Sequence, residues 1–306
     1  MKDSIIINIS EIKKTYEDIT ALDNVSFSVE KNTIFGIVGP DGAGKTTLIR
    51  ILCGLIKADS GKAEILGFDL GRDSGKIKNE IGYLSQKFSL YTDLTVDENI
   101  EFIADIHGVR DFKKKRNELL NFTRLTDFRN FLAGKLSGGM KQKLALACTL
   151  IYKPKIIFLD EPTTGVDPVS RREFWRILSN LSKENITVII STPYLDEAER
   201  FNKLVLIDNG KILAVDTPEN IKGLMKGSII EIVCSPIRKA YQILRDNTTF
   251  EIQLFGDRLN IAAENYENSI DELKNILERN RIVINDIRKI PPSLENAYIH
   301  LIKENS

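Results

Sequence analysis

Ile34-Phe35-Gly36-Ile37-Val38-Gly39-Pro40-Asp41-Gly42-Ala43-Gly44-Lys45-Thr46-Thr47-Leu48-Ile49 decides how the rest of the chain is read. A short apolar run ends at a glycine-rich loop, and a helix opens at Thr47-Leu48-Ile49. Residues Gly39 to Thr46 fit GxxxxGK[ST] in the strand–loop–helix context that the pattern requires. Glycines here let backbone N–H groups turn inward around phosphates, helped by the helix N-terminus. On this reading Gly39, Pro40, Asp41, Gly42, Ala43 and Gly44 form the cradle. Lys45 reaches the β- and γ-phosphates, Thr46 offers its hydroxyl to Mg2+, and Thr47 belongs to the helix end that faces them.

A second stretch supplies acid groups. Ile156-Ile157-Phe158-Leu159-Asp160-Glu161 is an apolar strand that ends in two carboxylates. Beside a phosphate loop, Asp160 is expected to hold the Mg2+ shell. Glu161 is expected to accept a proton from attacking water or to polarise it.

Composition sets outer bounds. The 306 residues are 42% hydrophobic and 28% charged, ordinary values for a globular protein with room for one large domain and a small one. Forty-three basic residues balance forty-three acidic ones, which leaves no overall electrostatic footprint for nucleic acid. No window reaches the roughly 18 consecutive apolar residues of a membrane span. Ile5 to Ile7 is too short for a leader core and is expected to be a first strand. Any membrane contact is therefore expected through a partner protein. Cys53, Cys148 and Cys234 are scattered in apolar surroundings, and His107 and His300 are the only histidines. Disulfides and a zinc site are not expected, and a reducing cytoplasm fits.

Further apolar runs at Lys155 to Leu159, Thr187 to Ser191 and Leu204 to Ile207 predict a largely parallel sheet covered on both faces. Ile5 to Glu30 reads as antiparallel strands around a polar turn. Thr95 with Glu98 forms a capping box, Ser137 is placed to cap the helix carrying Leu144, and Asp167-Pro168 is an N-cap followed by a first-turn proline. Lys113 to Arg116 reads as a solvated helix face. The character changes near Lys222 to Gly227. From there the pattern predicts strand, helix, two strands, helix and strand between Ile229 and Ile290. This is the ferredoxin-like order, followed by a last helix after Pro291-Pro292.

Leu136-Ser137-Gly138-Gly139-Met140 puts two glycines at a helix start, a bare N-terminus able to lie against a phosphate. With this stretch ahead of Asp160-Glu161, the chain resembles the ABC ATPases, whose signature is LSGGQ; Met140 stands in place of the glutamine. The resemblance covers residues 1 to about 222. It implies an α/β P-loop NTPase core with an antiparallel β subdomain and a helical subdomain at about 87–150. Boundaries follow at 1–225 for this domain and 226–306 for a small α+β ferredoxin-like domain.

It further implies ATP and Mg2+ as ligands, with Ser137, Gly138 and Gly139 covering ATP held by the opposite subunit of a head-to-tail dimer. Tyr16 matches the aromatic that stacks on adenine. Gln86 matches a glutamine touching Mg2+ and the attacking water, and Gly165-Val166-Asp167 matches the loop that crosses the dimer. The stretch Ser85 to Thr95, the run Leu136 to Lys143 and the ending Pro291 to Asn296 resemble ATPase subunits of ABC-2-type, drug-resistance-like exporters. Such a subunit is expected on the cytoplasmic face of the plasma membrane, beside a second ATPase subunit and a separate transmembrane permease docking near Phe88 to Leu94.

One position departs from the family. A histidine is usual after the next strand, whereas here the sequence reads Ser191-Thr192-Pro193-Tyr194. Proline has no imidazole and no backbone N–H. Slow or partner-dependent hydrolysis is therefore expected, and a regulatory subunit that binds ATP but hydrolyses poorly stays open beside it. A soluble family member acting on ribosomes or DNA fits less well. The translation-factor members carry two ATPase units in one chain, and the DNA-repair members carry long coiled-coil or zinc insertions.

Overall fold

A computed structural model describes residues 4–86, 90–225, 227–263 and 265–304. The strand before the phosphate loop lies inside a six-stranded sheet. Its order is Lys211–Asp216, Lys203–Asp208, Ile34–Val38, Thr187–Thr192, Ile156–Asp160 and Ile81–Leu84. Pairing from Lys203–Asp208 through to Ile81–Leu84 is parallel. Every residue of Ile34–Val38, Ile156–Asp160 and Thr187–Thr192 is buried. That is why these strands read as continuous apolar runs and not as alternation.

Register decides what the sheet presents. Val38 pairs with Thr192, Ser191 with Asp160, and Leu159 with Leu84. These four strands thus stop at one level, and the loops that follow them emerge together at the carboxyl edge, where open parallel sheets hold ligands.

A second sheet, in the order Ile19–Glu30, Ile5–Tyr16, Ser60–Ile65 and Phe68–Asp69, is antiparallel. Its last two strands were not anticipated. Nor was the helix Leu70–Glu80, whose N-cap Asp69 accepts a hydrogen bond from the Arg72 backbone N–H. Ile7, Leu22, Leu48, Phe158 and Val205 meet in one core with Phe27 and Phe35, whose rings stack at 5.2 Å.

The helical part contains Val96–Ile106, Phe112–Thr123 and Gly138–Leu150. The Thr95–Glu98 capping box is formed in both directions, and Asp167 caps Pro168–Lys183 through the Val169 and Ser170 N–H groups.

The chain divides into two compact units, Met1–Val215 and Asp216–Ser306. The division lies ahead of the expected boundary at 225. Thr217 caps a helix, Pro218–Gly223, and this helix packs on the last helix, Leu294–Glu304. The second unit has the sheet order Glu251–Phe255, Arg258–Ala263, Ser228–Ser235, Val283–Ile290, with antiparallel neighbours. The helices Ile237–Asn247 and Tyr266–Arg279 supply Ala240, Leu244, Leu273 and Leu277 to its core. The second of these starts earlier than the predicted Ile270, because Asn265 caps it by accepting from the Asn268 N–H.

Phe158 lies at the centre of the first unit and is fully buried. Phe158→Ala leaves a cavity that the close-packed strands cannot collapse, and destabilisation by about 3–5 kcal/mol is expected. Urea unfolding of the variant checks this through a lowered midpoint of the transition of the first unit.

Candidate functional site

The helix Lys45–Leu52 begins without a side-chain cap, since Gly44 occupies the N-cap position. Gly44 has φ +101°, and a Cβ there would stand 2.3 Å from the Ala21 carbonyl oxygen. Only glycine meets both conditions. The first N–H groups of the helix are thereby left facing a cleft of about 460 Å³. The phosphate loop lines it from Asp41 to Thr47, apart from Ala43, and Gln86 and Glu161 line it from the next strand ends. Ile19, Thr20, Ala21 and Asn209 close the remaining side.

Lys45 is almost fully buried in this cleft. Its ammonium donates to the carbonyls of Gly39 at 2.8 Å and Pro40 at 2.9 Å. It also lies 3.2 Å from Glu161 Oε1. The other oxygen of Glu161, Oε2, accepts from Gln86 Nε2 at 2.8 Å. Glu161 has φ +48°, a left-handed conformation that costs a residue with a Cβ about 1–3 kcal/mol. Its backbone N–H donates to the Ser191 hydroxyl at 2.9 Å, which fixes the turn.

Asp160 is buried beneath the loop. Its Oδ1 accepts from the Thr46 hydroxyl at 3.0 Å and from the Ser191 hydroxyl at 2.7 Å. Its Oδ2 is buried and has no hydrogen-bond partner among the described residues. A buried carboxylate oxygen without a donor is costly. An oxygen-seeking cation removes that cost, and Mg2+ prefers this donor set, a carboxylate beside a hydroxyl. The residues present fit Mg2+, which Thr46 and Asp160 would hold.

Several predicted residues stand apart from the cleft. Ala43 is buried under the loop. Tyr16 ends its strand half-exposed, with the Lys14 ammonium 5.2 Å from the ring centre, and it does not line the cleft. Ser137, Gly138 and Gly139 do not line it either. They form their own site at the start of Gly138–Leu150, with Ser137 and Gly138 exposed and Gly139 buried, and there the Ser137 hydroxyl accepts from the Met140 N–H at 3.3 Å. A Cβ on Gly138 would make only ordinary contact with the Gly165 carbonyl oxygen at 3.9 Å, whereas a Cβ on Gly139 would meet Ser170 Cβ at 2.4 Å. Nearby, hydrogen bonds from the Ser170 N–H and hydroxyl hold the Asp167 carboxyl below the usual range.

The sequence reading passed over Ser191. Its hydroxyl joins Asp160 to Glu161, and the only signal for that was its place at the end of the neighbouring strand. A larger cleft of about 540 Å³ is lined by Leu119, Phe122, Leu150, Leu181 and Ile186 together with Lys115, Glu118, Lys153, Lys155 and Glu184, but none of its lining residues is a glycine of a phosphate loop. The three cysteines are free and buried, and burial pushes the Cys148 thiol up to about 12. They are inert packing groups.

Comparison with known proteins agrees with this geometry. Residues 22–164 match the family described as ABC transporter. The probable multidrug ABC transporter ATP-binding protein YbhF of Escherichia coli is 41% identical over 219 residues, 71% of this chain. The chain spans 38% of that protein's length. The daunorubicin resistance ATP-binding protein DrrA2 of Streptomyces coeruleorubidus is 32% identical across 98% of this chain and 95% of its own. Among solved structures, a dimeric ATP-binding cassette in a post-hydrolysis state with ADP and Pi superposes with a TM-score of 0.64 at 27% identity. The match covers 69% of this chain and 98% of that one.

Lys45→Ala removes the one buried cation of the cleft among the described residues. A charge-assisted contact to phosphate contributes about 1.5–3 kcal/mol, so ATP binding is expected to weaken roughly tenfold or more. Calorimetric titration measures it, and an unchanged affinity refutes the assignment of this cleft.

Proposed function

Because this chain belongs to the ABC transporter family as an ATP-binding subunit, we propose that it binds and hydrolyses Mg-ATP to drive export through a separate membrane permease. The observation that carries the reading is the division of the chemistry. Lys45, Thr46, Asp160, Glu161 and Gln86 converge at one cleft, while exposed Ser137 and Gly138 open a separate helix start elsewhere. A second copy, packed head to tail, supplies that second surface to the phosphates.

In this reading ATP displaces the Glu161 carboxylate from Lys45, whose ammonium then contacts the β- and γ-phosphates. Thr46 and Asp160 would hold a Mg2+ ion, which would supply neutralisation of the charge that develops on the phosphate oxygens. Water attacks the γ-phosphorus, the bond to the bridging oxygen of ADP breaks, and Glu161 takes the proton of the water. Gln86 already touches Glu161 and orients the same water. The Ser137 helix end of the second copy adds positive potential.

The permease is assigned to the segment after Gln86. Residues 87–89, including Phe88, lie outside the described residues. In the remainder, Tyr91 is 47% exposed, and Phe131, whose carbonyl accepts from the Val96 N–H, is 50% exposed. Buried Asn99 pins this segment by accepting from the Tyr91 N–H and donating to the carbonyls of Tyr91, Leu94 and Thr95. A rigid loop with exposed aromatic groups suits a docking surface. Among the described residues no helix is long and apolar enough to cross a membrane, in keeping with peripheral attachment at the cytoplasmic face. The second unit takes a regulatory or dimer-stabilising role. DrrA2 and YbhF are named for drug resistance and multidrug transport, which favours an ABC-2-type drug exporter.

A second reading, a regulatory subunit with impaired hydrolysis, is favoured by Pro193 alone. It follows Thr192 where the family places an imidazole, and it does not line the cleft.

Two measurements test these assignments. Glu161→Gln keeps the shape and removes the base, so size-exclusion chromatography with Mg-ATP should show a trapped dimer; a variant that stays monomeric at high concentration counts against self-association. Pro193→His restores a donor of the kind whose loss typically costs about 10²–10³ in rate. The ATPase rate at saturating Mg-ATP should rise clearly. A rapid wild-type homodimer that the substitution leaves unchanged excludes a role for this position.

A further inference from the structure

Glu197 lies outside the nucleotide cleft and is 1% exposed. Its Oε1 accepts from the Thr163 hydroxyl at 2.7 Å and from the Trp175 indole N–H at 3.3 Å. Its Oε2 accepts from the Thr192 hydroxyl at 2.8 Å. The Thr192 oxygen in turn accepts from the Tyr194 N–H at 3.1 Å, closing a loop around Pro193. A buried carboxylate is stabilising only when its oxygens are satisfied, and an apolar side chain would pack there without the desolvation penalty. Plain packing therefore does not call for a glutamate.

The donors come from three separate segments. Thr163 stands just beyond Glu161. Trp175 belongs to Pro168–Lys183, the helix that Gly165-Val166-Asp167 leads into. Thr192 ends the strand whose preceding residue, Ser191, bonds both Asp160 and the Glu161 N–H. The arrangement also holds one unmade bond. Arg171 Nε, on the same helix as Trp175, is buried with no hydrogen-bond partner among the described residues and lies 3.9 Å from Glu197 Oε1. Its guanidinium sits over the Tyr194 ring at 5.1 Å and 3.6 Å from exposed Asp196. A small shift of this helix either completes the Arg171–Glu197 bond or leaves it open.

We propose that Glu197 is a positioning residue for hydrolysis. It ties the turn around Pro193, the loop that carries Glu161 and the helix Pro168–Lys183 into one body. Closure of a second copy against residues 165–167 is thereby transmitted to the base. In a chain without the imidazole, the threonine hydroxyls and this carboxylate set the geometry of that turn. The inference rests on the two-copy ATPase reading given above.

Trp175 is the single tryptophan of the chain, so its fluorescence reports on this carboxylate directly. The experiment uses the full chain with Glu197→Gln and with Thr163→Val, which removes one hydroxyl while keeping the shape and guards against a misfolded Gln variant. Mg-ATP affinity by calorimetry should stay within about twofold of wild type, whereas kcat should fall about 10- to 100-fold, the scale of a slightly misplaced catalytic group. KM should change little. The shift in Trp175 emission that Mg-ATP produces in wild type should be lost in both variants. Folded variants with wild-type kcat, or a wild-type emission indifferent to Mg-ATP, overturn the proposal. A wild type that binds ATP without hydrolysing it overturns the ATPase reading instead, and the emission shift then decides the present inference by itself.

Discussion

The arrangement rests on the parallel register that stops Val38, Thr192 and Asp160 at one edge of a sheet buried on both faces. The sheet interior offers no water, so every polar group at that edge must find a partner in a neighbouring strand or the loop above it. Ser191 meets the requirement for two carboxylate residues at once, with a hydroxyl that accepts from the Glu161 N–H and donates to Asp160. One slip of pairing would turn that hydroxyl to the opposite face. The positions of Asp160, Glu161 and the phosphate loop are in this sense consequences of strand pairing.

What the sequence disclosed follows from how local each feature is. The phosphate loop, the capping box at Thr95 and the cap at Asp167 are set by neighbours a few residues apart, and all three formed where they were expected. The βαββαβ order of the second unit was legible for the same reason, since alternating runs and turn residues announce each element. Ser191 and Glu197 were not legible, because their partners are brought from distant segments by the sheet. The helix Leu70–Glu80 escaped notice for another reason. Gly71 and Gly75 weaken its helical pattern, and it buries only Ile77.

Substitution within the signature shows which atoms matter there. Ser137 is answered by the Met140 backbone N–H, and any residue except proline can provide that bond. Methionine in place of glutamine leaves the cap intact. Gly139 is constrained much more tightly by the approach of Ser170. This helix start is therefore tied to the helix Pro168–Lys183, and the two surfaces expected to meet a second copy are fixed to each other within one chain.

The pairing of Lys45 with Glu161 has a bearing on selectivity. A lysine held by two carbonyls and an internal counter-ion is a poor lure for stray anions such as sulfate or free phosphate, because any newcomer must first outcompete a carboxylate already in place. On the ATP-binding reading, a polyanion that also engages the helix N-terminus and a dication would offset that displacement better than a simple anion does. The cleft thus carries its own competitor, and this raises the threshold for occupancy from the charge of a ligand to its charge, length and metal content combined.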